Sequence, residues 1–418
     1  MQQPNQQTSS RFQSPAPARA WPPLLILVLV AAGAVLSTAM GIRQSLGLFL
    51  GPMVAGTGIS IATFGLAMAV QNLAWGIGQP VMGALADRYG GRLVVMTGAL
   101  CFALGLWLMS LGTAFGLFLG GGLLIGLAVA ATSHGVLVGI LSRIAPPQSR
   151  AMAVSILAAV GSLGTFVIAP GTQWSLDSVS WQTTLLILVA LAATMALLAS
   201  AFKINRAPDA PRSGEKPNAV KAVREALRHP GYIAMSVAFF ACGFQLIFVA
   251  THLPNFVAIC GLPASLSANA IALIGICNAV GTLAAGKLGE MVGHRIVLAA
   301  IYLLRTIAIA AYAFLPISVE STLMFGAAMG LLWLSVIPPV SALINALFGP
   351  TNFGVLFGFM FLSHQVGAFL GAWLGGLSFD LTGDYVIAWS SLVVVGAAAF
   401  LIQLGMNDRP QSGAPMAA

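Results

Sequence analysis

Long apolar runs alternate with short polar breaks along almost the whole chain. Twelve runs can be drawn, at 22–50, 59–82, 93–113, 117–142, 150–173, 182–202, 231–257, 266–288, 296–316, 322–346, 354–377 and 386–407. A helix needs about 20 apolar residues to cross about 30 Å of hydrocarbon, and every run is long enough. The pattern predicts an all-α integral membrane protein of twelve transmembrane helices. One long polar stretch, 203–230, separates two sets of six. The expected organisation is a disordered Gln-, Pro- and Ser-rich tail (1–20), a first six-helix bundle (21–202), a linker (203–230), a second six-helix bundle (231–407) and a short tail (408–418). Within the linker, 219–229 is spaced as a short amphipathic helix lying on the membrane face.

Charge fixes an orientation on this pattern. Of 18 Lys and Arg, all but Arg43 and Arg305 fall in the tails or in alternate gaps between runs. The other gaps hold only Asp177, Glu320, Asp380 and Asp384. This positive-inside distribution predicts both termini in the cytoplasm and a multi-pass protein of the cell's inner membrane. Composition agrees, with 58% hydrophobic and 7% charged residues and a mean hydropathy of +0.94. The net charge of +8 is then a topology signal and a contact for anionic lipid, which argues against a nucleic-acid partner. Four Cys lack paired spacing, no metal-ligand or cofactor motif occurs, and no G-x-x-x-x-G-K-[ST] phosphate loop is present. An enzyme and an ATP-driven pump are both disfavoured.

The two sets of six are repeats. Gly83-Ala-Leu-Ala-Asp87-Arg-Tyr-Gly90-Gly-Arg92 aligns with Gly286-Lys-Leu-Gly-Glu290-Met-Val-Gly293-His-Arg295, 203 residues later. Repeated six-helix halves with a site at their interface are a secondary-transporter architecture. The G-x-L-x-D-R-x-G-x-R run resembles the signature loop of the major facilitator superfamily, and the resemblance extends from Trp21 to Met406. Within it, the chain resembles the bacterial monocarboxylate and oxalate/formate branch. That finer likeness rests on Gly41-Ile-Arg43-Gln44-Ser45 with Phe49 and Pro52, on His134-Gly135 with Arg143 and Pro146, and on Trp333 with Phe348-Gly349.

The resemblance implies that positions 43, 44, 134 and 333 face substrate. The relatives usually carry an amide, a tyrosine, a tyrosine and a tryptophan there; this chain has Arg43, Gln44, His134 and Trp333. The basic residues that hold dicarboxylate in the eighth and eleventh helices are missing; only Asn278, Thr282, Ser363, His364 and Gln365 stand there. A singly charged anion held by Arg43 is the expectation.

Arg43 sits about 7 residues, or ~10 Å, from the end of its run, so it either contacts substrate or snorkels. Placing a charge there costs ~2.5–3.5 kcal/mol, and no mid-run acid offsets it. Arg305 is ten residues past Arg295, a buried charge that either bonds neighbouring helices or contacts substrate. Gln245 lies 202 residues after Arg43 and is expected opposite it, and His364 is a further candidate. Pro338-Pro339 should break the tenth helix just past Trp333, with Pro170-Gly171 acting similarly in the fifth. Gly83, Asp87, Arg92, Glu290 and Arg295 form the expected conformational switch, in which the Asp87 carboxylate locks the bundles by pairing with an arginine.

The reading is a secondary carrier moving a small organic anion, a monocarboxylate, by alternating access, as a monomer in the bilayer and coupled to a proton or a counter-anion. An efflux pump for amphipathic drugs and a non-transporting membrane receptor are the alternatives. The absence of a mid-run carboxylate weighs against the first, and the lack of a signalling domain against the second.

Overall fold

The computed structural model describes residues 21–146, 149–202, 219–349 and 353–408; the expected tail at 1–20 and the linker segment 203–218 lie outside the described residues. All described elements are helical, and twelve helices are long and apolar enough to cross a membrane. They are α1 (Pro23–Thr57), α2 (Ile61–Tyr89), α3 (Gly91–Ser110), α4 (Ala114–Ile144), α5 (Arg150–Ser178) and α6 (Trp181–Ala201), then α7 (Pro230–Ile259), α8 (Ala264–Val292), α9 (His294–Phe314), α10 (Val319–Phe348), α11 (Phe353–Thr382) and α12 (Val386–Leu404). The linker carries a short helix at Ala219–Ala226.

Local chemistry sets the ends. Ser60 caps α2, its Oγ accepting from Thr63 N at 3.1 Å, and Ser318 forms a capping box at the start of α10. Gly90 and Gly293, one in each copy of the repeated motif, close α2 and α8 at φ 93° and 97°, a conformation glycine supplies without a Cβ clash. The helical path of α1 runs past the expected end at residue 50. A 3₁₀ turn at Leu46–Phe49 precedes Pro52, relieving the clash its ring would make in a regular α-helix, and the chain stays helical to Thr57.

One apolar core is built almost wholly from α1–α6 and a second from α7–α12. The halves meet through small residues at the end where α1 finishes and α2 begins, here called the far end. A Cβ on Gly47 of α1 would lie 2.2 Å from Ala250 O of α7, and one on Gly65 of α2 would lie 2.4 Å from Ala372 O of α11. Asp380 Oδ2 in α11 accepts from Ala62 N at 2.9 Å, so an acid of the second half caps the N-terminus of α2. Toward the opposite, terminal end, positions such as Gly139, Gly354 and Gly358 have no heavy atom within 4 Å of a built Cβ. The described halves are therefore closed against each other at the far end.

Two spans are interrupted. α10 breaks at Trp333–Val336, before the Pro338-Pro339 pair that starts its second segment. α4 breaks at Ser133, 203 residues earlier than Val336, where the backbone is extended at ψ 178°. By contrast, α5 continues unbroken through Pro170. One proline inside a helix removes a single N–H, and neighbouring helices can absorb the resulting bend.

Candidate functional site

Arg43 lies 14 residues before Thr57, the end of α1, or ~21 Å along the axis, so snorkelling to the far end is out of reach. Its guanidinium donates to Gln44 Oε1 at 3.0 Å and to Asn72 Oδ1 at 2.7 Å, and its Cζ stands 4.7 Å from the centroid of the Trp75 ring. Asn72 is held in that orientation because its Nδ2 donates to Met68 O at 2.8 Å. All these partners are neutral. Arg43 has no ion pair among the described residues, and its Nε is buried without a hydrogen bond. The positive charge stays uncompensated near the middle of the span.

α2 extends the site. Trp75 Nε1 donates to Gln79 Oε1 at 2.7 Å, and Ser133 Oγ at the α4 break donates to the same oxygen at 2.9 Å. With its oxygen taken twice, Gln79 presents Nε2 as a donor, turned toward Gly135; a Cβ there would lie 2.2 Å away. His134 follows Ser133 as the first residue of the second α4 segment, and its ring makes no hydrogen bond among the described residues. Across the interface, Phe361 of α11 meets Trp75 edge-on at 5.2 Å and stacks on His364 at 5.7 Å. His364 Nδ1 lies 3.1 Å from Gln365 Oε1, whose amide nitrogen is buried without a partner. Arg43, Gln44, His134 and His364 thus flank one region where α1, α2, α4 and α11 converge.

Two expectations are placed elsewhere. Gln245 is fully buried with Nε2 donating to Leu392 O of α12 at 3.0 Å, away from Arg43. The Trp333 ring is buried in the second-half core. Arg305 is fully buried and donates to Leu332 O and, at 3.1 Å, to Trp333 O, the carbonyls freed by the α10 break. The break serves this arginine. Asn278 adds to it, accepting from Leu334 N at 2.9 Å and donating to Ser162 Oγ of α5 at 3.2 Å.

The motif loops also differ from the expected lock. Asp87 pairs with Arg143, which ties α2 to α4 inside the first half and does not bridge the halves. A cavity of about 250 Å³ lined by Gly83, Asp87, Gly135, Gly139 and Arg143 ends at this pair. Arg92 makes no ion pair among the described residues. Glu290 pairs with Lys287 on its own helix at 3.2 Å, and Arg295 reaches Asp408 at 3.6 Å and Leu404 O at 3.1 Å. α10 offers no arginine where α4 has Arg143, so the second copy cannot repeat the first.

Sequence reasoning missed Asn72, Trp75, Gln79 and Ser133, although Gln71, Trp75 and Gln79 recur every four residues along one face of an apolar helix. It also missed His252, fully buried at the closed end, with Nε2 2.7 Å from Ala372 O and Nδ1 3.3 Å from the Tyr385 hydroxyl.

Comparison with known proteins agrees with this architecture. A family profile described as Major Facilitator Superfamily matches residues 24–372. Monocarboxylate transporter 13 of Rattus norvegicus is 27% identical over 364 residues, 85% of this chain and 82% of that one. The uncharacterized MFS-type transporter YcxA of Bacillus subtilis (strain 168) is 24% identical over 380 residues, 87% and 90% of the two chains. Among solved structures, a bacterial homolog of the human lysosomal transporter Spinster, inward-facing and unoccupied, superposes with a TM-score of 0.76 at 16% identity, covering 93% of this chain and 99% of that one. A point mutant of the nucleoside transporter NupG gives 0.77 at 15% identity, covering 92% and 99%. The chain belongs to the Major Facilitator Superfamily, as a multi-pass integral membrane transport protein with a small-molecule substrate and no enzymatic role.

Proposed function

We propose that this transporter carries a small, singly charged organic anion, a monocarboxylate, by alternating access between its halves. The observation that carries the reading is Arg43, a guanidinium held by neutral amides and an indole near the middle of a span, with no acid to neutralise it. A carboxylate is the ligand that would supply the missing charge and a bidentate acceptor. The donor face of Gln79, one helical turn past the Trp75 ring that lies against Arg43, favours the same sign. Relatives named as monocarboxylate transporters add support at 27% identity. With the positive-inside charge pattern, the terminal end faces the cytoplasm, the far end faces outward, and the host is the inner membrane. A proton or a counter-anion drives the cycle, and the functional unit is the monomer.

The test uses the purified transporter in liposomes with a panel of monocarboxylates, dicarboxylates and amines. Arg43→Gln should weaken monocarboxylate binding by about 2–3 kcal/mol, thirty-fold or more, with folding retained. Unchanged affinity in the folded variant, or preference for amines, overturns the proposal. Uptake accelerated by an imposed pH gradient identifies proton coupling; counterflow insensitive to the gradient identifies exchange.

A further inference from the structure

The linker helix packs one face and leaves another open. Ala222 and Ala226 are buried against the second half, whereas Val220 is 69% exposed and Leu227 42% exposed. The open face adjoins Val355, the third residue of α11, and the three bound an apolar groove of about 640 Å³ together with Val223. The polar groups in its lining are guanidinium-bearing: Arg224 and Arg228, one helical turn apart and free of any acidic partner among the described residues. Pro230, where α7 starts, follows Arg228 by two residues, so the groove lies at the membrane boundary of the terminal end.

We propose that this groove is a binding site for an anionic phospholipid, with an acyl chain along Val220, Val223, Leu227 and Val355 and the phosphate against Arg224 and Arg228. An apolar trough would take any acyl chain; two unpaired guanidiniums at its rim select those attached to a net negative headgroup. The chain's own segment 203–218 is the other occupant within reach. It carries four basic and two acidic residues, a net positive charge that opposes burial against two arginines. The lipid site holds the linker, and through it the ends of α7 and α11, to the membrane surface.

The experiment measures phosphatidylglycerol and phosphatidylcholine of identical acyl chains bound to the full-length, delipidated protein by native mass spectrometry. The wild type should retain phosphatidylglycerol preferentially. Arg224→Gln/Arg228→Gln should lose about ten- to thirty-fold of that preference. Lys221→Gln/Lys287→Gln, which removes the same charge outside the groove, should keep it. Leu227→Trp, which fills the trough, should reduce retention of both lipids. Equal loss in both charge variants reduces the effect to bulk attraction and overturns the site, as does undiminished retention in Arg224→Gln/Arg228→Gln. A cysteine at the exposed Val220 that is blocked to a thiol reagent without lipid would assign the groove to the 203–218 segment and also overturn it.

Discussion

Gln79 Oε1 accepts from both Trp75 Nε1 and Ser133 Oγ, so its two remaining donors form the face turned toward Gly135. Gln79→Glu keeps the acceptor and both incoming bonds but replaces the donors with a negative charge. In an anion site beside Arg43, that change should cost at least ten-fold in affinity for a monocarboxylate, about 1.4 kcal/mol or more. A rise in affinity for an organic cation would instead favour drug efflux; equilibrium binding to the detergent-purified variant decides between them. Arg43 and His134 were legible because a charge or an imidazole stands out in an apolar run. Gln79, Asn72 and Ser133 were not, since short or uncharged polar residues recur throughout transmembrane helices. Gln245 misled for a geometric reason. It follows Arg43 by 202 residues, whereas the motif repeat is 203, and one residue turns a side chain by ~100° about its helix. The internal two-fold therefore carries position 43 to Leu246, and Gln245 turns to α12.

Gly367, Gly371 and Gly375, four residues apart in α11, let α7 approach so closely that a Cβ on Gly367 would meet Phe240 O at 2.0 Å and one on Gly371 would meet Phe244 O at 2.2 Å. Lipid offers no hydrophobic drive between helices, so dispersion and close backbone approach hold this pair. Gly371→Ala should destabilise by about 1–3 kcal/mol or more, because either backbone must move. Gly358→Ala, on the same helix near the terminal end with nothing within 4 Å of its built Cβ, should be neutral or stabilise by up to about 1 kcal/mol. Thermal unfolding of the two variants in one detergent checks the contrast, and equal shifts would refute this account of the pair. The number and class of the helices were legible from run length alone, and the α10 break from its proline pair. The α4 break has no proline. It coincides with the Ser133 Oγ bond to Gln79 of α2, a tertiary contact with no local signature.

Alternating access requires the contacts at the closed end to be worth little more than the contacts replacing them when that end opens. The Asp380 cap meets this requirement, because a single carboxylate from α11 satisfies the N-terminus of α2 across the two halves. Asp177, at the position mirroring Asp380, accepts instead from Gln173 on its own helix at 2.8 Å, so the cap has no symmetry mate among the described residues. An N-terminal cap and its dipole contribution stabilise by about 1 kcal/mol. Asp380→Ala should therefore shift the ratio of closed to open far ends by about five-fold toward open, without touching the Arg43 region. The Asp87–Arg143 pair lies within one half and cannot set this balance directly; it instead fixes α4 relative to α2 beside the site. The population is read by distance measurement between spin labels at Phe115 and Leu381, exposed positions on opposite halves at the far end. The wild type should show one short distance, and Asp380→Ala a second, longer one whose share grows. An unchanged distribution would mean that the glycine-mediated contacts of α1 with α7 and α2 with α11 alone hold the far end shut, leaving Asp380 a cap with no part in the transition.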